Sequence, residues 1–312
     1  MNEARHESNI SLVAKMVQMH LRSKLRGQTR LTSFLAQKIK SLQAVPITIA
    51  GCSPFYVDLR GGMSHDLLKG TPWKSAPWEI DEQNIMRLVV SNGDIAFDIG
   101  ANIGMHAVLL SALIGPEGQL FIFEPNPELL PTLSRTVNGL KNTTLHPLAL
   151  SNQSQEAPLF VPSDHSMASL ADWTKGRTDV GETHVLTCKV RRLDDLISSG
   201  AVPRPDFIKC DVEGAELMVF QGSHQTLNRV DGPIILFEAN VYNSRAFGLT
   251  TSDAKDFITS LELPHYQFFE IQSGTLTHIH HVNPVHSNIL AIPQAKIYRW
   301  PKLASAGRLE LS

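Results

Sequence analysis

The sequence predicts an α/β protein: a seven-stranded, mostly parallel sheet covered by helices on both faces, with an antiparallel strand pair at one edge. Three observations carry this prediction. From Asp94 onward, apolar runs of strand length alternate with segments of helix length, the pattern of β-α units feeding a parallel sheet. Those runs are almost continuously apolar, as strands buried on both faces must be. The chain then closes with two such runs and no helix between them, which makes them an antiparallel pair.

Taken in order, Asp94 to Ile99 is a strand, Met105 to Ile114 a helix, Gln119 to Phe123 a strand and Pro127 to Asn138 a helix. Thr144 to Leu150 forms the next strand. After a less regular stretch, Phe207 to Asp211 is a strand, Ala215 to Leu227 a helix and Pro233 to Phe237 a fifth core strand. Tyr266 to Ile271 and Asn288 to Ile292 are the edge pair, joined by a turn-bearing stretch around Gly274. Ahead of the sheet, residues 9 to 43 read as one or two amphipathic helices, with Ile10, Val13, Val17, Leu21 and Leu25 at helical spacing. Ile47 to Leu59 reads as a β-hairpin broken at Gly51, Ser53 and Pro54. The expected organisation is a basic helical segment with a hairpin cap over 1–75, the sheet domain over 76–300 and a tail over 301–312.

Composition narrows the class. Of 312 residues, 42% are hydrophobic and 19% charged, enough apolar material for one sizeable core and too little charge for a disordered chain. A net charge of -2 gives no global attraction to nucleic acid. The charge is unevenly spread, however: residues 1 to 45 hold eight Lys/Arg against Glu3 and Glu7. That segment is expected to pack on the domain or on a second copy of the chain, and a basic amphipathic helix can also lie on an anionic surface. Three cysteines without paired spacing predict neither a disulfide framework nor a zinc site. No apolar stretch has the length of a membrane span, and no signal-peptide pattern is visible, so a cytoplasmic protein is expected.

The strongest local signal is Asp98-Ile99-Gly100-Ala101-Asn102-Ile103-Gly104, where the first strand gives way to a helix. In open α/β sheets ligands bind outside the carboxyl ends of the strands, and small residues there let the backbone approach closely. Two glycines after an acid do not make the three-glycine pyrophosphate loop of a nicotinamide enzyme. A carboxylate would repel pyrophosphate but suits a ligand with an ammonium or sulfonium group, and S-adenosylmethionine has both. Twenty residues beyond Gly104 the second strand ends at Glu124, placed to accept hydrogen bonds from ribose hydroxyls. The alternative for Asp98 is a helix cap, and for Glu124 a solvated strand end.

A second set of acids follows. Lys209, inside an otherwise apolar strand, should be costly unless paired. It shares a strand face with Asp211, and Asp211 and Glu238 are its nearest expected carboxylates. Strands four and five thus project Asp211, Glu238 and Asn240 into the crevice that would hold an acceptor. Either a carboxylate takes a proton from a hydroxyl, or Asp211, Glu238 and Asn240 hold a divalent ion such as Mg²⁺; a purely structural ion pair is the third possibility. The C-terminal His278, His280, His281 and His286 read as solvent-facing turn residues, and His165 as a weaker candidate for substrate contact.

These runs resemble the FkbM family of methyltransferases. The resemblance lies in Asp98 to Gly104, Phe123-Glu124-Pro125-Asn126-Pro127, Ala149-Leu150-Ser151, Leu193-Asp194-Asp195-Leu196, Asp206 to Glu216, Ile235-Leu236-Phe237-Glu238 and Ser287 to Pro293, in order over some two-thirds of the chain. It implies a class I methyltransferase fold (Rossmann-like), S-adenosylmethionine as cofactor, and O-methylation of a small-molecule or sugar (glycan) acceptor. It further implies that Asp98, Gly100, Asn102 and Gly104 line the methionine and ribose side, that Glu124 holds the ribose, and that Asn126, Ala149 and Leu150 flank the adenine. Asp211 would sit near the transferred methyl, and Glu79 would close over the cofactor. The sequence departs from the family at Arg192 and Cys210, which puts the acceptor side in question. A non-catalytic protein that retains the cofactor pocket is the competing class, and a nicotinamide-dependent oxidoreductase, which also uses an acid at its second strand, is a further alternative.

Overall fold

The computed structural model describes residues 12–23, 27–47, 52–60, 62–69, 77–178, 180–300 and 308–310. Helices Leu12–Arg22 and Gln28–Lys38 lead into a hairpin of β1 (Val45–Ile47) and β2 (Phe55–Val57), followed by helices Gly62–Lys69 and Pro77–Val89. The expected β-α alternation then runs through β3 (Ile95–Ile99), β4 (Gln119–Phe123) and β5 (Thr143–His146), with helix Met105–Ile114 between the first two and helix Leu130–Val137 between the second two. A separate small sheet holds β6 (Ala149–Leu150), β7 (Gln155–Val161) and β8 (His184–Arg191). The main sheet resumes with β9 (Phe207–Cys210), β10 (Ile234–Asn240), β11 (Tyr266–Gln272), β12 (Thr275–His278), β13 (His286–Pro293) and β14 (Arg308–Glu310).

The main sheet has the order β14-β12-β11-β13-β10-β9-β3-β4-β5. Strands β5, β4, β3, β9 and β10 are mutually parallel, and β13 and β11 run antiparallel beside them. These seven strands are the predicted sheet. Two more extend its antiparallel edge, because Ser273 and Gly274 both take positive φ (49° and 74°) and close a two-residue hairpin into β12.

Strand alternation sends side chains to two cores. Ala96, Leu120, Ile122 and Leu236 face one side with Leu109 and Leu110 of helix Met105–Ile114. Phe97, Phe121, Phe123, Ile208 and Phe237 face the other, with Val219 and Phe220 of helix Glu216–Gln221. Burial on both faces is the reason these strands carry no polar side chains except Gln119 at the exposed start of β4 and the residues that approach the site. A third cluster joins the N-terminal helices to the sheet domain: Ala14, Val17, Leu21, Phe55 and Leu68 pack with Met105 and Val108.

Three local expectations are corrected. Thr144 to Leu150 is two strands in different sheets, since Pro147 cannot donate a ladder hydrogen bond at the junction. The stretch after it, expected to be irregular, forms the three-stranded β6-β8-β7 sheet around Leu159, Val161, Cys188 and Val190. The helix expected over Ala215 to Leu227 breaks into Glu216–Gln221 and His224–Leu227 at Gly222, whose hydrogen lies where a Cβ would stand 2.0 Å from the Ser151 carbonyl.

Candidate active site

The parallel strands β3, β4, β9 and β10 all end at one rim, and a cavity of about 390 Å³ opens there, within the size range of small-molecule and cofactor sites. Its base is the loop after β3. Gly100 and Ala101 donate their backbone N–H groups to the Phe123 carbonyl (2.9 and 3.2 Å), and Asp211 N–H donates to the Ile99 carbonyl (3.0 Å). The loop is therefore stitched between the two neighbouring strand ends. Gly100 has φ +80° and presses so closely on β9 that an added Cβ would lie 1.8 Å from the Asp211 carbonyl oxygen. Gly104 has φ +83°, with Leu133 2.9 Å from where its Cβ would be. Both glycines are demanded by close packing of the loop against its neighbours.

Glu124 sits at the end of β4, buried, with Oε2 accepting the Asn102 N–H and Oε1 accepting the Asn126 N–H, each at 2.8 Å. A carboxylate has about four acceptor sites, so capacity remains for two further donors. Burial raises its pKa to about 7 against the two backbone hydrogen bonds that lower it. Asp98 is fully buried, its two carboxylate oxygens have no hydrogen-bond partner, and burial raises its pKa to about 6. Orphaned buried acceptors of this kind fit a ligand or ion pair and are otherwise costly.

Lys209 lies next to Asp98 because the parallel ladder of β3 and β9 puts the two Cα atoms in register. Its ammonium stands 3.1 Å from Asp211 Oδ2 and 4.0 Å from Asp98 Oδ1. Burial would lower the Lys209 pKa, but the carboxylates of Asp211, Asp98 and Glu82 outweigh it and hold the ammonium charged. Across the rim, Glu238 Oε1 is 2.8 Å from His286 Nε2, and that hydrogen bond raises the His286 pKa. Glu213, half-buried and with φ 54°, is held by the side-chain amide of Asn243, and desolvation together with Asp211 and Glu238 pushes its pKa well up. Glu216 accepts the Val212 N–H at 3.0 Å and burial raises its pKa to about 8.

Of the residues singled out in the sequence, Gly100, Asn102, Glu124, Ala149, Leu150, Lys209, Asp211, Glu238 and Asn240 line this cavity. Asp98, Gly104 and Asn126 lie behind it. Asn126 is fully buried, donating to the His165 carbonyl (3.1 Å) and accepting from the Glu128 N–H (3.0 Å). Asn102 donates to the Ser166 carbonyl (3.0 Å), so the two asparagines hold the segment His165–Met167 against the cavity, where His165 lines it. Glu79 stands in the first turn of helix Pro77–Val89, and its side chain lies outside the described residues. Glu82, one turn on, lines the cavity 3.5 Å from His106, which burial and Lys209 keep neutral. Its spacing from Glu79 on one helix was the available signal. Glu213, Asn243 and Asn288 also line the cavity and were not singled out for it.

Of the trio Asp211, Glu238 and Asn240, all three line the cavity. Asn240 Oδ1 accepts the Tyr242 N–H at 3.1 Å, and its amide faces Glu238 at 3.5 Å. Among the described residues no group of three or more His, Cys, Asp and Glu side chains is arranged to hold a metal ion. His286 is no turn residue: it begins β13, in register with Asn240. Neither Arg192 nor Cys210 lines the cavity. Cys210 is buried in the core and Arg192 pairs with Asp195 at 3.4 Å. Among the described residues no helix is long and apolar enough to cross a membrane.

Several known proteins are similar to this chain. The hexuronic acid methyltransferase AglP of Haloferax volcanii is 32% identical over 51% of this chain and 64% of its own length. The 2-O-methyltransferase NoeI of Sinorhizobium fredii is 28% identical over 47% of this chain and again 64% of its own length. The chain thus spans less than two-thirds of either relative. Among solved structures, a precorrin-6y C5,15-methyltransferase from Geobacter metallireducens covers 69% of this chain and 88% of its own, at TM-score 0.39 and 15% identity. A SAM-dependent O-methyltransferase from Thermotoga maritima covers 80% and 78%, at TM-score 0.39 and 11% identity. Residues 98–286 match the methyltransferase FkbM domain, well over half of the chain, and the chain belongs to that family.

Proposed function

We propose that the protein is an S-adenosylmethionine-dependent methyltransferase that methylates a hydroxyl group of a sugar or another small molecule. The observation that carries this is the meeting, in one cavity, of a glycine-cradled rim ending in Glu124 and an acidic rim made by Asp211 and Glu238. The first half suits the cofactor: Glu124 keeps acceptor capacity for ribose hydroxyls, the buried Asp98 carboxylate faces the charge of Lys209, and Gly100 lines the rim without a side chain. When bound, the cofactor supplies an electrophilic methyl group on a positively charged sulfur.

The second half suits the acceptor. Asp211, about one-third exposed and paired with Lys209, and Glu238, paired with His286, offer carboxylate oxygens to an acceptor hydroxyl and to the proton it gives up. Asn240, Asn243 and Asn288 surround them with amide groups of the kind that orient polyhydroxylated ligands. His165, Ser166 and Met167 complete the lining of the cavity. The relative named for a hexuronic acid supports a sugar acceptor, and the one named for 2-O-methylation supports transfer to oxygen.

The test is calorimetric titration with S-adenosylmethionine, followed by chromatographic detection of S-adenosylhomocysteine on incubation with glucose, glucuronic acid and their methyl glycosides. Binding with acceptor-dependent product is expected. No binding would overturn the cofactor assignment, and binding with no product from any sugar would overturn the acceptor class.

Affinity should also depend on pH. Glu124 and Asp98 ionise near 4.5 and 3.8 when unconstrained but at about 7 and about 6 in the fold. Their contribution to stability is present below the lower values and lost as pH rises through the upper ones. A ligand that donates hydroxyls to Glu124, which lines the cavity, binds its ionised carboxylate, so binding releases protons. Affinity is expected to rise towards pH 7.5 by up to about tenfold per pH unit for each proton released. Calorimetry in buffers of different ionisation enthalpy measures this, and a flat profile would contradict it.

A further inference from the structure

The N-terminal helices carry an outer face that the cofactor site does not use. In helix Leu12–Arg22, Ala14, Val17 and Leu21 are buried against the domain, and Gln18 donates to the Leu68 carbonyl at 2.7 Å. The opposite stripe is also apolar: Leu12, Met16 and Met19, at i, i+4 and i+7, are 75%, 62% and 73% exposed. Helix Gln28–Lys38 repeats the arrangement, with Thr32 and Ala36 buried and Leu31 and Phe34 about half exposed on the far side. Exposed cations flank both stripes: Lys15 and Arg22 on the first helix, Arg30 and Lys38 on the second. A helix anchored by one apolar stripe has no folding reason to display a second one.

Charge selects the occupant. Between residues 12 and 57 the sequence has seven Lys/Arg and no Asp or Glu, although the whole chain is slightly acidic. A second copy docked face to face would set cation against cation, which disfavours a symmetric dimer through this surface. Nucleic acid would meet the cations but leave Leu12, Met16, Met19 and Phe34 without apolar contact. A lipid surface with anionic headgroups satisfies both sets of groups, with the apolar ridge in the acyl boundary and Lys and Arg at the phosphates. We propose that helices Leu12–Arg22 and Gln28–Lys38 form a peripheral docking surface for an anionic lipid bilayer. The surface holds the enzyme at a membrane without spanning it.

The full chain is to be sedimented with vesicles of phosphatidylcholine alone and of phosphatidylcholine mixed with phosphatidylglycerol. It should partition onto the mixed vesicles and not the neutral ones, and raised salt should weaken the partition. Met16→Glu combined with Met19→Glu should reduce it on the order of tenfold, and so, independently, should Arg30→Gln combined with Lys38→Gln. All four positions are exposed, and unchanged melting temperatures establish that the variants fold. No partition onto anionic vesicles overturns the proposal, as does partition that neither variant weakens. A dimer in light scattering that Met16→Glu/Met19→Glu splits, without vesicle binding, assigns the face to self-association instead. Binding to a DNA duplex but not to vesicles assigns it to nucleic acid.

Discussion

Gly100→Ala is expected to destabilise the protein by about 3 kcal/mol or more and to remove cofactor binding with it. Two costs add. The native φ of +80° is one that L-residues adopt at a penalty of roughly 1–2 kcal/mol. The new methyl would also meet the Asp211 carbonyl oxygen at 1.8 Å and Val212 Cγ1 at 3.3 Å. The carbonyl belongs to the backbone at the end of β9, which the Asp211–Ile99 hydrogen bond (3.0 Å) holds to β3. Relief of the clash must therefore part the two strands that carry Asp98 and Lys209. Gly93→Ala is the control: φ is +87° there, but nothing lies within 4 Å of the added atom. Urea unfolding of both variants separates strain from clash. A loss at Gly100 no larger than at Gly93 would refute the packing argument.

Glu124→Ala is expected to weaken S-adenosylmethionine binding on the order of a hundredfold, since hydrogen bonds to a charged group contribute about 1.5–3 kcal/mol each. The substitution removes the acceptor for ligand hydroxyls and also leaves the N–H groups of half-buried Asn102 and buried Asn126 without that partner, and these residues shape the rim and its covering segment. Asp98→Ala should act as strongly by a different route. It leaves Lys209 with Asp211 as its nearest remaining carboxylate, and an unevenly compensated buried ammonium is costly. Calorimetric titration reads the affinity, and melting of the ligand-free protein reads the damage to the fold. Undiminished binding in either variant would sink the assignment of that residue. A melting loss for Asp98→Ala larger than for Glu124→Ala is expected, because only the former disturbs the ion pair in the sheet.

Much of the site was legible because its signals are local. An acid that ends an apolar run, followed by Gly100 and Gly104, marks a strand end with a close-approach loop whatever the rest of the chain does. Glu124, Lys209, Asp211 and Glu238 could be picked out on the same ground, each standing out against an apolar strand. What stayed hidden needed strand neighbours. The hydrogen-bonding of Glu238 with His286 depends on β13 inserting antiparallel beside β10, across 48 residues of sequence. The β6-β8-β7 sheet escaped notice because its strands are half-exposed and broken by Pro158 and polar side chains, so neither the buried nor the alternating pattern is clean.

The sequence by itself determined the alternation of strands and helices, the acids and glycines at the strand ends, and the basic, acid-free character of the N-terminal segment. Those follow from hydrophobic periodicity and backbone chemistry, which act over a few residues. Only the tertiary structure decided that Lys209 stands between Asp98 and Asp211, that Asn240 caps a helix turn, and that the N-terminal helices keep an apolar ridge facing outward. Sheet order and register settle these. They depend on which distant segments exclude water together, and that cooperative outcome is written in no single stretch of the chain.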